Sequence, residues 1–77
     1  MPSNKIVTDF IEKIVHLAVL ESRKAEPGVV FEITVPAKEI PEGIHFSDIR
    51  GAVEAKASRS NLVTMGSSDW IYRFYKR

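Results

Sequence analysis

The 77-residue sequence has no cysteine, which excludes a disulfide scaffold, a cysteine-ligated zinc site and a thiol nucleophile. It also lacks an apolar run near the roughly 18 residues that a membrane span needs. The stretch "IVHLAVL" is flanked by Glu12, Lys13 and Glu21 with no small-residue cleavage site behind it, unlike a secretory signal. No membrane association and a cytoplasmic location are therefore expected. The four glycines, at 28, 43, 51 and 66, are scattered, so no glycine-rich loop cradles a phosphate. His16 and His45 have no third ligand at metal spacing. Glu39 and Glu42 fall in a proline-bounded turn, where solvation accounts for them. The expectation is a protein without catalytic residues, metal or cofactor.

What is present fits one small domain over residues 1–77. A chain this short buries only about 60% of the surface it exposes when unfolded, so association with a second chain would help it. Composition is that of a folded globular protein, 44% hydrophobic and 27% charged. The net charge of +1 conceals a division along the chain. Residues 1–49 carry five cations against eight anions, whereas residues 50–77 carry six cations against two. A basic surface on an otherwise neutral body would leave this asymmetry.

The segment "SNKIVTDFIEKIVHLAVLESRKAEPG" predicts a helix with Ser3 as N-cap and Pro27-Gly28 as its stop. Ile6, Phe10, Ile14 and Leu17 recur at helical spacing, and Val7, Ile11, Val15 and Ala18 widen the stripe. Val19 falls with Glu12, His16 and Arg23 on the polar side. A stripe this broad suggests a second neighbour besides the core, and a homodimer through Val15 and Val19 is expected. "VVFEITV" alternates as a strand. "PAKEIPEGIHF" has room for one helical turn around Ala37–Ile40. "SDIRGAVEAKAS" predicts a second helix, capped by Ser47 or Asp48, with Phe46, Ile49, Val53 and Ala57 inward. Its opposite face is small: Ser47, Gly51, Ala55 and Ser58, with Glu54 alongside. That face admits another backbone at close range, either a nucleic-acid groove or a protein segment.

The last seventeen residues, "NLVTMGSSDWIYRFYKR", predict a β-hairpin. With Ser67-Ser68 as the loop, Met65 faces Trp70, Val63 faces Tyr72 and Asn61 faces Phe74. Met65, Val63, Trp70, Tyr72 and Phe74 then form a core face, leaving Leu62, Thr64, Ile71, Arg73 and Tyr75 on the other. Arg73, Lys76 and Arg77 either guard an edge strand or, with Arg59, line a basic surface. "SRSN" at 58–61 joins helix to hairpin with phosphate-contacting residue types, although a polar turn would use the same residues.

The fold class is α+β in the order helix, strand, turn, helix, β-hairpin. This order resembles the winged helix-turn-helix family of DNA-binding domains over nearly the whole chain. The resemblance makes "AKEIPEGIHF" the second helix and turn, residues 47–58 the recognition helix and residues 61–77 the wing. It implies a dimeric transcriptional or replication regulator on double-stranded DNA, contacted by Ser47, Arg50, Ser58, Arg59, Ser60, Asn61, Arg73, Tyr75, Lys76 and Arg77. The competing expectation is a protein–protein interaction module, for instance a small viral protein that docks on and modulates a host enzyme. The low net charge favours that alternative.

Overall fold

The computed structural model describes residues 4–77, in the order α1 (Asn4–Ser22), β1 (Phe31–Thr34), a 3₁₀ turn (Ala37–Glu39), α2 (Phe46–Ser58), β2 (Leu62–Ser68) and β3 (Ile71–Lys76). The strands form one antiparallel sheet in the order β1-β3-β2. Both helices lie on the same face of that sheet. Phe10, Ile14, Val15 and Ala18 of α1 and Ile49, Val53 and Ala57 of α2 meet Ile33, Leu62, Tyr72 and Phe74 in a single core. The molecule is thus a two-layer α+β domain in which neither described helix covers the second sheet face.

Two boundaries differ from the sequence expectation. α1 ends at Ser22, whose Oγ donates to the Val19 carbonyl at 2.6 Å, while the Arg23 N–H is shared between the Val19 and Leu20 carbonyls. Pro27-Gly28 instead shapes the turn into β1, with Gly28 at φ 83°. The expected cap Ser3 lies outside the described residues. α2 begins at Phe46, ahead of both expected caps. His45 is the N-cap, and its backbone N–H donates to Asp48 Oδ2 at 3.1 Å. Asp48 sits in the first turn, where its charge suits the helix dipole.

Val15, expected at a dimer contact, is only 4% exposed and belongs to this chain's own core, and one further expectation for α1 is corrected. Val19 is not on the polar side; it is half-buried and packs against the core. Most of the apolar stripe packs within the chain, against α2, β1 and β3, while Ile6 stays 48% exposed.

The hairpin is closed two residues further along than its sequence suggested. Asp69-Trp70, not Ser67-Ser68, forms the loop, with φ of 47° and 68°. Positive φ at both positions is the twist that two-residue hairpin loops need. Ser67 therefore faces Tyr72 and Gly66 faces Arg73, but the next pair is Thr64 with Phe74. Met65 is left over as a β-bulge beside Gly66, whose φ is 116°. The bulge reverses the side-chain parity of β2. Leu62 turns into the core while Met65 is 53% exposed, and Val63 lies on the open face opposite Tyr75. Of the expected core face, Tyr72 and Phe74 are fully buried, and Trp70 packs against the core from the loop.

Candidate nucleic-acid interface

The outer face of α2 is as small as the sequence implied. Ser47, Gly51, Ala55 and Ser58 are exposed, and a Cβ built on Gly51 would meet nothing within 4 Å. Arg50 does not stand out from this face. Its Nε donates to Glu54 Oε2 at 3.3 Å, one helical turn on, and the Ser67 Oγ of β2 donates to the same oxygen at 3.3 Å. Arg50 is therefore drawn toward the hairpin and neutralised there. An exposed pair at this spacing is worth only about 0.3–0.5 kcal/mol, so a phosphate could compete for it.

The turn after α2 gathers most of the other candidates. Arg59 is the C-cap, Ser60 N–H donates to the Ala57 carbonyl, and Asn61 N–H donates to that of Ser58. Asn61 then takes φ 63°, a left-handed conformation that asparagine tolerates well. The end of β3 returns to this turn. Arg77 N–H donates to the Asn61 carbonyl at 3.1 Å, and Lys76 faces Leu62. The Lys76 carbonyl also accepts the Gly28 N–H at 3.0 Å, which brings the segment following α1 to the same end of the sheet.

Ser58, Arg59, Ser60, Asn61, Lys76 and Arg77 are thus neighbours around the C-terminus of α2. Among the described residues, the ion pairs are Lys13–Glu39, Lys24–Glu21, Arg50–Glu54, Lys56–Glu12 and Arg73–Glu32. Arg59, Lys76 and Arg77 take part in none of them. Cations at a helix C-terminus complement its dipole, which is a structural reason for Arg59 that requires no ligand.

Arg73 and Tyr75 lie elsewhere. They alternate with the buried Tyr72 and Phe74, so they project from the sheet face that the helices leave open. Arg73 Nε donates to Glu32 Oε2 of the neighbouring strand at 2.8 Å, and half-buried Tyr75 sits opposite Val63. The ten sequence candidates therefore divide into an end cluster of six, a pair on the first half of α2 (Ser47 and Arg50), and a pair on the open sheet face. Strand alternation in the sequence already set Arg73 and Tyr75 apart from the core face, but the gathering of the end cluster depends on the strand pairing that brings Lys76 and Arg77 back to Leu62 and Asn61.

One buried polar atom stands apart. The Tyr72 hydroxyl is enclosed without a hydrogen-bond partner among the described residues. Burial, aided by the nearby Glu54 carboxylate, pushes its pKa from 10.0 to about 12. Two open grooves flank α1. One, between α1 and α2, is lined by Glu12, Val15, His16, Val19, Lys56 and Ser60. The other lies between α1 and β1, where Leu17, Leu20, Glu21, Lys24, Ile33 and Thr34 line it.

No described helix is long and apolar enough to cross a membrane. No group of three or more His, Asp or Glu side chains among the described residues could hold a metal ion. Comparison with protein-family models, with curated proteins and with solved structures finds no match to this chain.

Proposed function

We propose that this chain is a small double-stranded-DNA-binding protein, a regulator of transcription or replication, that seats its basic end on the phosphate backbone and offers the small face of α2 to a groove. The observation that carries the reading is the end cluster. Arg59, Lys76 and Arg77 have no acidic partner among the described residues and stand beside Ser58, Ser60 and Asn61, residue types that serve phosphate oxygens. The order helix, strand, turn, helix, hairpin supports a winged-helix arrangement, with α2 as recognition helix and β2-β3 as wing.

Three phosphate contacts imply a log–log salt slope of about −2.7, so affinity should fall about 40-fold between 50 and 200 mM salt. The test is fluorescence anisotropy with random and selected duplexes at those two concentrations. Arg59→Ala, Lys76→Ala and Arg77→Ala should each flatten the slope by about one unit on any sequence. Absence of binding at 50 mM salt, or a slope near zero, would sink the reading.

A second reading, a protein-interaction module, is favoured by one specific observation. Val63, Ile71 and Tyr75 form a half-buried apolar row on a sheet face that neither described helix covers. A chain that ignores DNA at low salt would be assigned to this class.

A further inference from the structure

The two edges of the sheet are not equally protected. β2 carries a bulge at Met65 and a positive-φ glycine, devices that keep another strand from adding to an edge. β1 forms the opposite edge and has neither. The Val35 N–H donates to the Trp70 carbonyl of the β3 side at 2.9 Å. Backbone direction alternates along a strand, so Ile33 also turns its N–H and C=O toward β3. Glu32 and Thr34 then present theirs to the free edge.

Apolar surface is concentrated beside that edge. Among the described residues Leu20 (37% exposed), Val29 (51%) and Val30 (46%) are three of the five exposed large hydrophobic side chains. Leu20 lines the groove between α1 and β1, and Val29 and Val30 lead directly into the strand.

We infer that β1 is a pairing edge for a second copy of this chain, joined antiparallel across a two-fold axis to give one continuous six-stranded sheet. The sequence of β1 selects the register. Centring the axis on Glu32 would set two like charges face to face. Centring it on Ile33 places Ile33 against itself, Phe31 against Val35 and Glu32 against Thr34 of the second copy. In that register the outward N–H and C=O groups of Glu32 and Thr34 pair with each other in both directions. Pro36 has no N–H and ends the ladder. The four-residue length of β1 makes the pairing weak and concentration-dependent.

Sedimentation from about 10 µM to about 1 mM, a window that brackets micromolar-to-millimolar association, should show the 8.7 kDa chain approaching twice its mass. Thr34→Pro removes an outward N–H but leaves the β3 pairing intact, and Leu20→Glu charges the groove. Both should remain monomeric with an unchanged thermal transition, whereas Val19→Glu, in the other groove, should still dimerise. Amide exchange gives a second readout that holds even if Thr34→Pro fails to fold. The Glu32 and Thr34 amides should slow about tenfold with rising concentration, toward the protection that paired strand amides show. A wild type that stays monomeric throughout overturns the inference. So does a dimer that survives Leu20→Glu, or one that Val19→Glu abolishes.

Discussion

At the hairpin loop the ring of Trp70 lies 5.8 Å from that of Phe10 and 5.6 Å from that of Phe46, binding α1, α2 and the β2-β3 turn together. At the other end of the same strands, roughly 20 Å away at about 3.3 Å per residue, Arg59, Lys76 and Arg77 surround the α2 C-terminus with no acid among the described residues paired to them. One end is closed by aromatic packing, with the exposed Asp69 carboxylate in its loop. The other gathers cations that no described acid pairs. The stability of the fold and the anion-binding role proposed for it are thus assigned to different places, and substitutions should affect one without the other.

The largest expected effect is at the packed end and the core beneath it. Phe74→Ala removes a fully buried ring and should cost about 3–5 kcal/mol, a large part of the stability of a small domain. Trp70→Ala, at a half-buried ring, should cost about 2–3 kcal/mol. Urea midpoints measure both. If Trp70→Ala left the midpoint in place and abolished DNA binding, the loop would be a recognition surface and the division between the ends would fail.

An intermediate effect is expected from Tyr72, which is buried in the protonated form. Its folded-state pKa, about 12, lies above the unfolded value of 10.0. The folded chain therefore keeps the proton through a range in which the unfolded chain releases it. The stability linked to this group is complete below pH 10 and is lost as pH rises toward 12. The loss should be on the order of 1–3 kcal/mol. Tyr72→Phe should remove that alkaline slope in pH-dependent melting. It should leave neutral-pH stability equal or slightly higher, because it deletes a hydroxyl that is buried without a partner. A steep slope that persists in Tyr72→Phe would assign the titration elsewhere.

The smallest effects sharpen the comparison at the charged end. Arg73→Ala breaks an exposed cross-strand pair with Glu32 and should cost less than about 1 kcal/mol. Because Arg73 lies on the open sheet face, it should leave the salt slope of DNA binding unchanged. Arg59→Ala should do the reverse, with stability held within about 0.5 kcal/mol. Thermal melts and anisotropy on the same two variants settle the matter. Equal losses of DNA binding would mean that the interface wraps around the sheet.

Element types were legible because each rests on local periodicity. Phe10, Ile14 and Ala18 repeat at helical spacing, Phe31 and Ile33 alternate, and Ile49, Val53 and Ala57 follow one helix face. The hairpin register was not legible. Asp69-Trp70 lacks the glycine that advertises a positive-φ loop, while Gly66-Ser67-Ser68 offers a better one by composition. The rings of Phe10 and Phe46 and the Val35 N–H, all distant in sequence, hold Trp70 where it is. The same distance hid part of the division of the candidate site. Arg50 and Arg73 read as free cations until Glu54 and Glu32 are placed beside them. Val15 looked available because a broad apolar stripe does not reveal how many of its neighbours belong to the same chain.

Trp70 is the sole tryptophan, and it occupies a left-handed backbone conformation that a bulky side chain holds at a cost of about 1–3 kcal/mol. The strain persists because the indole is gripped by two helices, so the loop has reason to spring away when that grip loosens. The tryptophan emission therefore reports on the hairpin loop and the two helices it packs against. An anion arriving at the far end would leave that emission unchanged, whereas a ligand that pries the loop open would shift it before any strand is lost.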